Sequence, residues 1–174
     1  MKLIFGLLMF LVCTTTGCIS DSEPEGASLG AGDLLPEFSV RMNTGEIFST
    51  STLKGKVSVI VFFNTGCGDC RKELPIIQKL WDEYKDNANV EILPVAREEQ
   101  EEDIAGYWEE NGFTMPFSPQ DTREIYSLFA SSAIPRIYIS NPKGVITETY
   151  DDSDMPSYNE LRASIEQVIN GTPQ

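Results

Sequence analysis

Seven residues, Val-Ser-Val-Ile-Val-Phe-Phe at positions 57–63, form a nearly unbroken apolar run in the body of the chain. A run of that length and β-branched character predicts a strand buried on both faces of a sheet. Asn64, Thr65 and Gly66 interrupt it, and the spacing then turns helical, with Leu74, Ile77, Leu80, Trp81 and Tyr84 three or four apart. Upstream, Phe38 and Val40, then Ile47 and Phe48, flank the turn signal Asn43-Thr44-Gly45 and predict an N-terminal hairpin. Downstream, 90–96 reads as a second strand. Residues 98–111 read as a helix with Ile104, Tyr107 and Trp108 on one face and Gly112 as its stop. Residues 115–118 are a candidate short strand. Asp121 and Glu124 have the spacing of a capping box, opening a helix through Ile125, Leu128 and Phe129. Strands at 137–140 and 145–150 are joined by Asn141-Pro142-Lys143-Gly144, and Ser157 with Glu160 caps a last helix carrying Leu161, Ile165, Val168 and Ile169. Such alternation predicts an α/β domain: a central mixed β-sheet flanked by helices, with an N-terminal β-hairpin extension.

Two cysteines stand where the central strand gives way to the first helix. Cys67 and Cys70 are separated by Gly68 and Asp69. A helix N-terminus presents free N–H groups and partial positive charge, and both favour the thiolate that makes cysteine reactive. Cys67 is the expected nucleophile. Cys70, one turn in, is placed to close a disulfide onto it and release a bound partner, which is the chemistry of thiol–disulfide exchange.

Composition narrows the alternatives. The 174 residues contain four cysteines and no histidine. The lack of histidine excludes Cys–His and Ser–His catalysis and histidine-ligated metals. Thirteen basic residues stand against 27 acidic ones, a formal charge of −14, which argues against nucleic acid or anionic lipid as partner.

The leading residues read as an address. Lys2 and the apolar run 3–12 fit an export signal, and that run is too short for a stable bilayer span. Gly17 before Cys18 resembles the lipobox of bacterial lipoproteins, with Thr15 in place of the usual leucine. The expected organisation is a signal peptide at 1–17, a lipid-anchored flexible tether at 18–32 starting on Cys18, and one folded α/β domain at 33–174. Lipidation at Cys18 would bring the protein to a membrane, as a periplasmic or cell-envelope lipoprotein of a bacterium. Within the lipoprotein resemblance, Ile19 in place of aspartate after the cysteine implies the outer membrane, in a cell that has two.

The order of elements, with Leu35-Pro36-Glu37-Phe38, Leu53-Lys54-Gly55-Lys56, Cys67-Gly68-Asp69-Cys70, Glu73-Leu74-Pro75 and Ala133-Ile134-Pro135, resembles the exported TlpA/ResA-like thiol–disulfide oxidoreductases of the thioredoxin fold. The likeness spans 33–170. It implies that Pro135 is a cis-proline facing the dithiol, leaving Ile134 free to pair its backbone with a peptide partner, with Gly66 and Arg136 beside it. It also implies that Pro75 kinks the first helix and that Glu73 influences thiol acidity. Departures are Gly66 where tryptophan is common, Val61 where cytosolic thioredoxins carry a buried aspartate, and Arg136 where threonine is frequent.

Several rival classes share parts of this pattern. A zinc site needs four ligands and the motif supplies two. A copper-delivery protein of similar fold needs a histidine. A peroxiredoxin-like peroxidase has Thr-x-x-Cys, whereas Asn64 lies three before Cys67 here. A lipid-tethered binding module holding an inert disulfide is the non-enzymatic alternative. The expected function is exchange with disulfides or thiols of exported proteins, with no cofactor beyond the redox-active Cys67–Cys70 pair and no metal. With Asp69 rather than histidine between the cysteines, and Arg71 and Lys72 solvated, the couple is expected to be reducing, nearer about −270 mV than about −120 mV. A membrane electron-donor protein would then recharge it.

Overall fold

The computed structural model describes residues 28–171, so the expected signal peptide, Cys18 and most of the tether lie outside the described residues. Ten elements follow in order: β1 (Ser39–Arg41), β2 (Ile47–Ser49), β3 (Val57–Phe63), α1 (Gly68–Tyr84), β4 (Val90–Ala96), α2 (Glu101–Asn111), α3 (Glu124–Ser127), β5 (Arg136–Ser140), β6 (Ile146–Tyr150) and α4 (Tyr158–Ile169). Four strands form the main sheet in the order β4-β3-β5-β6, with β3 and β4 parallel and the other pairs antiparallel. All seven residues of β3 are buried, as its unbroken apolar sequence requires. Successive side chains on a strand face opposite ways. Phe62 meets the rings of Tyr126, Phe129 and Tyr138, while Phe63 packs on Trp108 of α2. Apolar side chains therefore fill both faces of the strand that ends at the cysteines.

β1 and β2 pair as the expected hairpin. Thr50 anchors it, accepting from the Phe38 N–H at 3.0 Å and donating to the Pro36 carbonyl at 2.6 Å. α1 and α4 lie against each other, tied by Tyr84 Oη to Glu166 at 2.7 Å and by Arg162 to Glu83 at 2.8 Å. The Ser157–Glu160 capping box at the start of α4 is complete. α1 runs through Pro75 as one helix, and burial of Leu74, Ile77, Leu80 and Tyr84 holds its inner face.

Three expectations are corrected. The helix expected from residue 98 starts at Glu101, because Glu98 has φ 57° and Glu99 exchanges backbone hydrogen bonds with Gln120 at 2.8 and 3.2 Å. The strand expected at 115–118 reduces to a single bridge between Ser118 and Val95; Pro116 and Pro119 bring no N–H groups with which to extend a ladder. The helix expected from Asp121 through Phe129 is the four-residue α3, whose N-cap is Arg123 without a side-chain capping bond. Thr122 Oγ1 accepts the Glu124 N–H at 3.3 Å in place of the capping box, and the chain leaves the helix after Ser127 to reach the loop before β5.

Candidate active site

Cys67 is the N-cap of α1, with extended backbone, and its sulfur accepts the Cys70 N–H at 3.5 Å. A free thiol on each cysteine makes this the reduced form. Cys67 is half-buried and Cys70 wholly buried, so a partner disulfide reaches Cys67 first. Burial pushes the Cys70 thiol far above its ordinary range.

The Ile134–Pro135 peptide is cis, as the resemblance implies. The Cys67 thiol donates to the Ile134 carbonyl at 3.5 Å, which sets the loop directly across from the dithiol. Tyr126 holds that loop from below: its hydroxyl lies 2.5 Å from the carbonyls of both Ser132 and Ala133. Arg136, directly after the cis-proline, donates from Nε to the Ser132 carbonyl at 3.0 Å and lies among Tyr138, Tyr126 and Asp151. That hydrogen bond braces the loop.

The approach to Cys67 is fixed by a web of polar contacts. Asn64 Nδ2 donates to the Arg97 carbonyl at 3.1 Å, and Asn64 Oδ1 accepts the Gly66 N–H at 2.8 Å. A Cβ on Gly66 would stand 3.0 Å from that same oxygen, so the exposed residue before the nucleophile is held small by its own turn. Thr65 gives its N–H to Glu99 at 2.8 Å and its hydroxyl to the other oxygen of the same carboxylate. Arg71 Nε donates to the Thr65 carbonyl, and its guanidinium lies over Tyr107 at 5.5 Å. Arg71 is therefore engaged rather than merely solvated. Lys72 pairs with Asp69 at 2.7 Å, so a cation stands against the carboxylate that lies between the two cysteines.

Glu73 lies one turn past Cys70. It is 1% exposed, and neither carboxylate oxygen has a hydrogen-bond partner among the described residues. Burial alone raises its pKa from 4.5 to about 7. A proton on this carboxyl is thus gained and lost near neutrality, beside the buried thiol. Sequence reasoning placed Cys67, Cys70, Pro135, Ile134, Gly66 and Glu73 together here. It missed Glu99 and Arg97, which lie in an acidic stretch that reads as a solvated face, and Tyr126, which looks like ordinary core.

A strand ending in a half-buried dithiol at a helix start, faced by a cis-proline loop, defines a thioredoxin-fold thiol–disulfide oxidoreductase. Known proteins agree. Residues 31–149 match the AhpC/TSA family. The thiol-disulfide oxidoreductase ResA of Bacillus subtilis is 27% identical over 161 residues, covering 90% of this chain and 89% of ResA. The thioredoxin-like protein YneN of the same organism is 28% identical over 152 residues, covering 86% and 89%. The thioredoxin domain of a thiol-disulfide oxidoreductase from Bacteroides vulgatus superposes with a TM-score of 0.63 at 26% identity, over 79% of this chain and 99% of that one. The chain belongs to the AhpC/TSA family, and within the thioredoxin superfamily it is a ResA/TlpA-like enzyme.

Proposed function

We propose that this enzyme reduces disulfides of exported proteins, with Cys67 as attacking and Cys70 as resolving thiol. The observation that carries this reading is the contrast between the two sulfurs: Cys67 half-exposed at a helix N-cap and opposite the Ile134 carbonyl, Cys70 buried behind it. Ile134 and Pro135 receive the partner backbone beside Cys67, with Gly66 leaving room on the near side and Arg136 holding the loop in place. The Cys67 thiolate attacks a partner sulfur, and the other partner sulfur leaves with a proton. Cys70 then attacks Cys67, the first partner sulfur leaves, and two electrons and two protons have passed from the dithiol to the partner. Glu73 takes the Cys70 proton as Cys70 attacks, and that proton ends on the departing partner sulfur, a role suited to a carboxyl titrating near 7. No cofactor beyond the cysteine pair is needed.

The reducing direction rests on the burial that disfavours a thiolate at Cys70 and on the acidic neighbour Glu73, since strong oxidants depend on a stabilised reduced form. A membrane electron donor recharges the pair, and the leader with Cys18 tethers the domain outside the cytoplasm. Among the described residues no helix is long and apolar enough to cross a membrane.

Equilibration with glutathione and dithiothreitol buffers tests the direction: a potential near about −270 mV is expected, and one above about −180 mV overturns the reductant assignment. Cys70→Ser is expected to trap mixed disulfides through Cys67 and Cys67→Ser few; equal trapping by both contradicts the roles. Peroxide turnover faster than disulfide turnover would favour a peroxidase. Cys18→Ala is expected to release the protein from membranes, and unchanged fractionation contradicts the anchor.

A further inference from the structure

Four consecutive carbonyls run along the loop that faces Cys67, and a side chain donates to each of them. Arg123 Nη2 reaches the Ser131 carbonyl at 2.9 Å, and Arg136 Nε reaches that of Ser132 at 3.0 Å. The Tyr126 hydroxyl lies 2.5 Å from the carbonyls of Ser132 and Ala133, and the Cys67 thiol donates to that of Ile134 at 3.5 Å. Of these donors only Tyr126 is buried, at 1% exposed. Its ring stands perpendicular to that of Phe62 at 5.3 Å, with the guanidinium groups of Arg97 and Arg123 at 5.3 and 5.5 Å. Phe62 belongs to β3, the strand that delivers the cysteines. One packed ring therefore links the strand that carries the dithiol to the loop that faces it.

We propose that Tyr126 is a positioning residue that sets the affinity of this enzyme for polypeptide disulfides, by holding the Ala133–Ile134 backbone in register with Cys67. This rests on the docking of partner backbone at Ile134 and Pro135 described above. A partner that pairs with the loop gains most where the loop already has the bound shape; a loop that must first be ordered takes that cost out of the binding energy. Ala133 has φ 67°, a conformation that a residue with a side chain holds only against a local cost, so its carbonyl needs a fixed donor. Arg123 and Arg136 donate from long stems that lose much freedom when held. The phenol of Tyr126 is already immobilised by its ring contacts, and its hydroxyl is a short, stiff strut. That hydroxyl has one proton for two carbonyls, and Arg136 also serves Ser132, so Ala133 is where the strut matters most. A disulfide without a peptide backbone has nothing to pair with the loop and needs only an open Cys67. The strut therefore separates polypeptide partners from small disulfides.

The test compares two probes with a common leaving group, on the reduced full chain in single turnover. One is dithiobis-nitrobenzoate; the other is an unstructured peptide whose cysteine carries a thionitrobenzoate disulfide. Cys67 attacks either probe, and closure by Cys70 frees the half that stays on Cys67. Tyr126→Phe keeps the ring and its contacts and removes the hydroxyl. The peptide concentration at half-maximal rate is expected to rise about fivefold, the weight of one net hydrogen bond, with the maximal rate and the dithiobis-nitrobenzoate rate each within about twofold of native. Equal slowing with both probes, which general damage to the fold would give, overturns the proposal. An unchanged half-saturation for the peptide does so too, as does a native enzyme that half-saturates with the peptide no lower than with dithiobis-nitrobenzoate. Where the phenylalanine variant does not fold, proton NMR of the native protein decides. A Tyr126 hydroxyl proton protected from exchange and close to the protons of 132–134 supports the strut; one that exchanges freely with water overturns it. Native protein that releases thionitrobenzoate from neither probe overturns the dithiol reading itself, and the role of Tyr126 with it.

Discussion

Glu73 and Glu99 are two buried glutamates on opposite sides of the dithiol, 1% and 8% exposed, and they have been given opposite surroundings. Glu99 accepts both the N–H and the hydroxyl of Thr65, and its own backbone is paired with Gln120. Glu73 sits one turn past Cys70 with no partner among the described residues on either oxygen. A buried carboxylate with two donors is a structural tie, because its charge is satisfied where it stands. A buried carboxyl with none is held in a state it leaves easily, and its pKa rises to about 7. The Thr65 side of the site thus has its hydrogen bonds satisfied, while the side behind Cys70 holds an unpartnered carboxyl whose pKa burial raises to about 7.

The comparison breaks most severely at Glu99. Glu99→Ala leaves two buried Thr65 donors without acceptors and is expected to cost about 4 kcal/mol, read by denaturant unfolding. A loss below about 1 kcal/mol would mean that the tie carries no weight. At Glu73 the expected effect is on pH dependence. The unfolded carboxyl ionises near 4.5 and the folded one near 7, so between those values the folded state holds more protons and stability falls as pH rises. Native protein is expected to lose about 3 kcal/mol between about pH 4 and about pH 8 relative to Glu73→Gln, where this slope vanishes. Parallel pH profiles for the two would contradict the burial argument.

Thr65→Val keeps the N–H bond to Glu99 and removes the hydroxyl, leaving one carboxylate oxygen short of a donor. A cost of about 2 kcal/mol is expected, with the initial attack by Cys67 slowed less than threefold, the hydroxyl being part of the tie rather than of the chemistry. Ala133, ahead of the cis-proline, has φ 67°, a left-handed conformation that costs a side-chain-bearing residue about 1–2 kcal/mol. Ala133→Gly relieves that cost and adds chain entropy of opposite sign, so a net gain under about 1 kcal/mol is expected in thermal unfolding. A destabilised variant would show that the alanine methyl packs usefully.

Much of this arrangement is legible in the residues themselves. The run 57–63 could be little else than a central strand, and a Cys-x-x-Cys at its end followed by helical spacing locates the dithiol without a structure. The capping box at Ser157 works because nothing competes for its atoms. The one at Asp121 does not form, since the chain is drawn toward the loop that Tyr126 holds. Glu99 illustrates the harder case. In the sequence it is one of several acidic residues close together, and only the backbone pairing of Glu99 with Gln120 turns that single carboxylate inward. Arg97 is hidden for the same reason: whether a charge is paired or orphaned depends on neighbours brought from other elements.

The central claim is that the carboxyl behind the resolving thiol titrates near neutrality. It is tested most directly by carbon NMR of the Glu73 side-chain carboxyl across pH, assigned against Glu73→Gln. A midpoint near 7 is predicted in the reduced protein. A midpoint near the ordinary glutamate value of about 4.3 would contradict the account.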